Sequence, residues 1–187
     1  GLTGNIGVIG NADLEPEKTI SYEIGIQYRL DSKSAVDMTM YFRDIRDLTG
    51  TKSDIIKTYT NSSYYIYDNS DFAFVKGLVL SYKKNFDNGF STTIDYTFQQ
   101  AKGTASDPFD AYYSAISNEY PEIQLIPLNW DQRHTINSTL YYDSKLWGIG
   151  MIGKVGSGQP YTPSINQDFS SLVNNSKSKP MIWNVDL

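Results

Sequence analysis

Thr19-Ile20-Ser21-Tyr22-Glu23-Ile24-Gly25-Ile26-Gln27-Tyr28-Arg29-Leu30 decides the fold. Its even positions are all aliphatic or aromatic. Its odd positions are all polar, charged or glycine. One parity rule over the whole stretch is the signature of a β-strand, whose side chains alternate between faces. It is incompatible with the 3.6-residue stripe of a helix. After Asp31-Ser32-Lys33-Ser34 the rule restarts, with Val36, Met38, Met40 and Phe42 opposing Asp37, Thr39, Tyr41 and Arg43.

The same period continues outward from these two segments. A third strand is expected over 72–84, where Phe74, Leu78, Leu80 and Tyr82 share a face that Lys76 interrupts. A fourth sets Phe90, Ile94, Tyr96 and Phe98, with Thr92 among them, against Ser91, Thr93, Asp95, Thr97 and Gln99. A fifth, near 130–142, alternates less cleanly, with Ile136, Leu140 and Tyr142 opposing Arg133, Thr135, Asn137 and Thr139. A sixth carries Trp147, Ile149, Met151 and Val155, and the run Met181, Trp183, Val185, Leu187 opens a seventh. The connections alternate as well: short turns at 31–34, 85–89 and 143–145, long polar segments at about 49–71, 103–128 and 158–180. In an up-and-down meander this collects the short turns at one rim and the long loops at the other, the layout of an outer-membrane barrel. A strand of ~12 residues tilted near 45° covers roughly 28 Å, close to the ~25 Å apolar band of such barrels. Aromatic residues near strand ends on the apolar parity, such as Tyr22, Tyr28, Phe98 and Trp147, suit interfacial girdles. The expected fold is therefore all-β, an antiparallel up-and-down transmembrane β-barrel segment. A soluble antiparallel sandwich also alternates, but its strands are usually shorter and its loops carry no such long–short order.

Composition bounds the rest. The 187 residues include 15 Tyr, 8 Phe and 3 Trp. Mean hydropathy is −0.42, which is what one lipid face and one wet face average to, and no run is long and apolar enough for a transmembrane helix. A net charge of −5 and a pI of about 4.8 argue against a nucleic-acid surface. With no Cys and a single His, His134, thiolate chemistry and multi-histidine metal sites are excluded within this chain. Gly148-Ile149-Gly150-Met151-Ile152-Gly153 matches G-x-G-x-x-G, but the glycines and prolines that follow forbid the helix that dinucleotide binding needs. Asp131 and His134 are spaced to opposite faces of a strand, which disfavours a triad. Asp68-Asn69-Ser70-Asp71 lacks the glycine and glutamate of a calcium loop and reads as solvated loop. No catalytic residue, cofactor or metal is expected.

The segment Gly10-Asn11-Ala12-Asp13-Leu14-Glu15-Pro16-Glu17-Lys18-Thr19, running into Ser21-Tyr22-Glu23-Ile24-Gly25, resembles a stretch of TonB-dependent outer-membrane receptors, in which Asn11, Leu14, Pro16, Glu17, Tyr22, Glu23 and Gly25 match. Tyr41-Phe42-Arg43-Asp44-Ile45-Arg46-Asp47-Leu48 is similar to that family's next strand. Trp130-Asp131-Gln132-Arg133-His134-Thr135 and Gly156-Ser157-Gly158-Gln159-Pro160-Tyr161-Thr162-Pro163 follow in family order, and Trp183–Leu187 is similar to the start of a late strand. The resemblance implies residues 1–187 to be six or seven strands of a barrel of about 22. The remaining strands, a plug domain and the segment that contacts TonB would lie outside this sequence. It implies a bacterial outer-membrane transporter, not an enzyme, that imports a scarce bulky ligand such as a siderophore, vitamin, glycan or peptide. Partners would be outer-membrane lipid, the rest of the barrel and plug, TonB and, as in some glycan-importing relatives, a surface lipoprotein. A non-transporting outer-membrane barrel or adhesin is the alternative. The expected ligand contacts are the loop tyrosines Tyr64, Tyr65, Tyr67, Tyr112 and Tyr113, whose apolar faces and polar tips suit flat or amphiphilic ligands.

Overall fold

A computed structural model describes residues 7–52, 56–57, 63–105, 108–109, 112, 125–163 and 175–187. The strands are β1 (Val8–Ile9), β2 (Lys18–Arg29), β3 (Ser34–Thr51), β4 (Ile56–Lys57), β5 (Ser63–Asn85), β6 (Phe90–Gly103), β7 (Ile126–Pro127), β8 (His134–Asp143), β9 (Gly148–Gly156), β10 (Pro160–Tyr161), β11 (Lys177–Ser178) and β12 (Ile182–Asp186). The main sheet runs β12-β9-β8-β6-β5-β3-β2, which holds all seven expected strands in a meander order. Each neighbour in the chain of long strands is its neighbour in the sheet, the low-cost topology for short connections.

The register sorts the side chains. β6 pairs antiparallel with β8, placing Phe90 opposite Tyr142, Thr92 opposite Leu140, Tyr96 opposite Ile136 and Phe98 opposite His134. β8 pairs with β9, setting Leu140 against Met151 and Ile136 against Val155, and β9 pairs with β12, setting Val155 against Trp183. These rows lie on one face. The other face carries the row Asp95, Asn137, Lys154 and Asn184. Register is thus fixed so that the apolar parity of every strand falls on the same side.

That side is not packed on protein. Ile24 and Ile26 are 72% and 71% exposed, and Met40, Ile94, Ile149 and Val185 are exposed too. Leaving each such side chain in water forgoes about 1.5–3 kcal/mol of burial. An apolar sheet face of this breadth is stable when hydrocarbon covers it.

The long strands feed two compact units: residues 1–20, 44–74 and 102–128, and residues 21–43, 75–101 and 129–187. The first holds the buried side chains of Tyr65, Ala73, Ile126 and Leu128, and the second those of Val75, Ala101 and Asp131. The structure departs from the sequence reading at 49–71: β3 continues through Thr51 and β5 already begins at Ser63, so both ends of this segment are strand. At 23 residues, β5 extends well beyond what a ~25 Å apolar band requires. Likewise β7 and the β10–β11 pair lie within the other two long connections. Conversely, Trp130–Arg133 precede β8 as turn and coil, and only His134 of that motif enters the strand.

Candidate functional site

In the first unit the loop tyrosines form an aromatic cluster. Tyr65 is fully buried, and its ring meets Tyr112 edge-on with centroids 5.1 Å apart. Tyr67 meets Phe109 at 5.9 Å, and Phe109 meets Tyr112 at 6.4 Å. Thr51 Oγ1 donates to the Pro108 carbonyl at 2.6 Å, tethering the connection after β6 to the end of β3. Edge-to-face pairs of this kind add about 0.5–1.5 kcal/mol each beyond burial. Burial, with Tyr112 alongside, raises the Tyr65 hydroxyl above its ordinary pKa. That hydroxyl has no hydrogen-bond partner among the described residues. Tyr64, Tyr67 and Tyr112 are half-buried and keep part of their surface open. Tyr113 lies outside the described residues.

The Gly10–Lys18 motif forms a strap. β1 pairs in parallel with β5, Val8 opposite Tyr65 and Ile9 opposite Ile66. β4 lies antiparallel to β5 just before, with Ile56 opposite Tyr64. Asn11 Nδ2 donates to the Tyr67 carbonyl at 3.0 Å, and Asn11 Oδ1 caps the Asp13 amide at 3.0 Å. The Asn69 amide reads the backbone of Glu15 from both sides: Oδ1 accepts from Glu15 N at 2.8 Å and Nδ2 donates to Glu15 O at 2.9 Å. The same Nδ2 also donates to Asp47 O at 2.6 Å. Glu17 Oε1 accepts from Thr49 N at 3.2 Å. Lys18 bridges Glu15 and Asp47 at 2.8 and 2.9 Å. Leu14 is half-buried and Pro16 exposed. Asn69 therefore belongs to a strand and a clamp, which corrects the solvated-loop reading of 68–71. Nothing in its local sequence predicts this, because its partner is 54 residues away.

In the second unit the later motifs interlock. Asp131 is fully buried. It accepts from Ala101 N at 2.9 Å and from Arg133 Nε at 2.8 Å, so its charge is both paired and hydrogen-bonded, as burial demands. Gln132 Nε2 donates to Ser157 O at 3.0 Å, and its amide covers Gly156 where a Cβ would otherwise stand. His134 N donates to Ser157 Oγ at 3.0 Å, and Ser157 N donates to His134 O at 2.8 Å. His134 Nδ1 lies 2.9 Å from the Tyr96 hydroxyl. Asp131 and His134 thus have separate partners and form no acid–base pair. Gly158 lies against the Lys179 backbone so closely that a Cβ would strike its carbonyl. Pro160, buried, and Tyr161, exposed, pair with Ser178 and Lys177. Trp130 is exposed.

The remaining motif residues lie on β2. Tyr22 belongs to the apolar row, and Glu23 on the polar face comes within 3.9 Å of Arg43. Gly25 lets the Thr39 side chain of β3 approach. On the same polar face the Tyr41 ring lies across Gly77, with its hydroxyl donating to Gln99 Oε1 at 3.1 Å. Tyr141 lies similarly over Gly148 and Gly150. These glycines sit in strand β9, so the G-x-G-x-x-G match opens no helix. Among the described residues no group of His, Asp and Glu is arranged to hold a metal ion.

A search of curated proteins finds no match to this chain. Among solved structures, the outer membrane transporter YddB from Escherichia coli is similar in fold, at 11% identity and a TM-score of 0.68. The match covers 98% of this chain and 27% of that one, so this chain spans about a quarter of that protein's length. The family described as TonB dependent receptor-like, beta-barrel, matches residues 1–186. With its strands, its two-faced sheet and its ordered motifs all consistent with that match, the chain belongs to the TonB-dependent receptor β-barrel family of the bacterial outer membrane.

Proposed function

We propose that these strands are part of the wall of a TonB-dependent transporter that binds a scarce bulky ligand and admits it across the outer membrane. The observation that carries this reading is the sorting of one sheet into an apolar face for lipid and a polar face, with Asp95, Asn137, Lys154 and Asn184 in register, for a wet or plugged lumen. Transport of this kind works by gated binding and passage and asks no covalent chemistry of these residues. The plug, the remaining strands and TonB are its partners in this proposal. Tyr64, Tyr67 and Tyr112 are the ligand contacts, because each keeps part of its surface open, while Tyr65 is the buried support beneath them. Tyr113 is retained as a contact on its sequence position next to Tyr112.

The test uses the full receptor in its own cells. Ferric siderophores, cobalamin, maltodextrins and short peptides are offered in turn, with and without an uncoupler of the inner-membrane proton gradient. Uptake of one class that falls on deleting the receptor and on uncoupling supports transport. Unchanged uptake of every class overturns it. Replacing Tyr64, Tyr67 and Tyr112 by Ala together then lowers affinity for that class if the aromatic contacts are correct.

A further inference from the structure

Two of the short turns lie side by side in the second unit. Asn85 N donates to Lys33 O at 2.9 Å, and the Lys33 ammonium pairs with Asp87 across them. The turn after β2 and the turn after β5 together line a recess of about 410 Å³. Both walls are held by their own hydrogen bonds. Asp31 accepts from Lys33 N and from Ser34 Oγ, both at 2.7 Å, and Phe86 N donates to Phe90 O at 2.8 Å.

Two lysines and two aspartates line the recess, so it carries no net charge. These charges are not equally committed. Asp31 lies near enough to feel the Lys84 charge, but both its oxygens are taken by the turn. Asp87 gives Oδ1 to Lys33, and its side chain is otherwise 87% exposed, which leaves Oδ2 open. Lys84 is half-buried, its ammonium 5.2 Å over the Phe86 ring. The Lys84 ammonium, the Ser32 hydroxyl and the Asn85 carboxamide have no hydrogen-bond partner among the described residues. Three free donors lining one space suit a phosphate, and an open carboxylate oxygen beside them suits an ammonium.

The position of the recess supplies the rest of the ligand. Lys84 ends the apolar row Leu78, Leu80 and Tyr82 of β5, and Leu30, Phe86 and Phe90 are exposed around it. Apolar surface on one side and a wet rim on the other mark a membrane interface. Short turns face the periplasm in this family's arrangement, so the adjoining leaflet is the phospholipid one. We infer that the recess binds the headgroup of a zwitterionic phospholipid, its phosphate at Lys84, Ser32 and Asn85 and its primary ammonium at Asp87. The acyl chains then lie along Leu30 and Phe90. The inference rests on the outer-membrane location and is independent of whether the barrel transports.

The complete receptor, reconstituted in phosphatidylcholine nanodiscs doped with phosphatidylethanolamine, tests this by native mass spectrometry of the lipid retained. Wild type should retain phosphatidylethanolamine in preference to phosphatidylcholine, whose quaternary ammonium cannot donate to Asp87. Lys84→Gln should lower phosphatidylethanolamine retention about fivefold, the effect expected of one cation at a lipid headgroup. Asp87→Asn should abolish the preference between the two lipids. Lys145→Gln, on the third short turn and outside the recess, should change neither. Folding of each variant is checked by heat-modifiable gel mobility. Equal retention of the two lipids by wild type overturns the inference, as does equal retention by wild type and Lys84→Gln. A loss in Lys145→Gln as large as in Lys84→Gln would reduce the effect to rim charge and overturn the site. Displacement of the retained lipid by inorganic phosphate at equal concentration would make the site one for free anions and overturn the lipid assignment.

Discussion

Residues 19–29 and 63–71 are both strand, yet only the first alternates. Ile20, Tyr22, Ile24, Ile26, Tyr28 and Leu30 alternate with polar residues because the two faces of β2 meet two different media. In Tyr64-Tyr65-Ile66-Tyr67-Asp68-Asn69-Ser70-Asp71 several side chains meet other protein. Tyr65 packs on Tyr112, Asn69 clamps Glu15, and Asp71 accepts a hydrogen bond from Thr104 Oγ1 at 2.8 Å. Period-two alternation therefore reports the asymmetry of the surroundings. Backbone pairing makes the strand and does not need it.

This contrast can be broken at either end. The largest effect is expected in the rim region: Tyr65→Ala removes a fully buried ring and should cost about 3–5 kcal/mol, read as a loss of heat-modifiable stability in the assembled receptor. Tyr65→Phe should cost nothing measurable or raise stability, because the hydroxyl it removes has no partner among the described residues. A large loss for Tyr65→Phe would mean that the hydroxyl is hydrogen-bonded after all. In the membrane region, Ile24→Arg should cost about 2–4 kcal/mol near the bilayer midplane, measured by urea unfolding from liposomes, whereas Glu23→Gln on the other parity should be near neutral. Equal effects at 23 and 24 would refute the face assignment. Asn69→Ala loses the three contacts of one partly exposed side chain, and about 1 kcal/mol is expected. It should appear as faster hydrogen exchange at the Glu15 amide, with residues 20–28 unaffected.

The smallest effect belongs to the turn after β2. Asp31 accepts from Ser34 Oγ and from Lys33 N, both at 2.7 Å. The Ser34 hydroxyl first, then the Lys33 amide, hold its carboxyl below the ordinary 3.8. A lowered carboxylate pKa stabilises the fold above the ordinary value and loses that contribution as pH falls through the lowered one. Proteolysis or exchange at residues 31–34 should therefore quicken only in strong acid, and Asp31→Asn should flatten that pH profile.

These differences explain what was legible in the sequence. The seven long strands could be read because lipid imposes parity on Ile24, Met40, Ile94 and Met151 alike. The short turns could be read because polar clusters interrupt that parity. The upward extensions of β3 and β5 could not, since no second medium marks them. Asn69 and Asp131 could not be assigned roles either. Their partners, Glu15 and Ala101, are distant in sequence, and a single chain carries no record of such pairs. The family motifs were visible as strings. Their physical content, such as Gln132 covering Gly156 beside Ser157, became readable only in three dimensions.

The strap has a consequence for the order in which the molecule comes together. The β8–β9 hairpin closes over four residues, Ser144 to Trp147, with the Ser144 hydroxyl donating to Trp147 O at 2.8 Å, and such local closure is fast. The strap is translated earliest of the described segments, yet Glu15 must wait for Asn69, 54 residues later. Its loop entropy is repaid only once β3 and β5 have already paired. The earliest-made of the described segments is then among the last to be seated, as a clasp is fastened only after the garment is on.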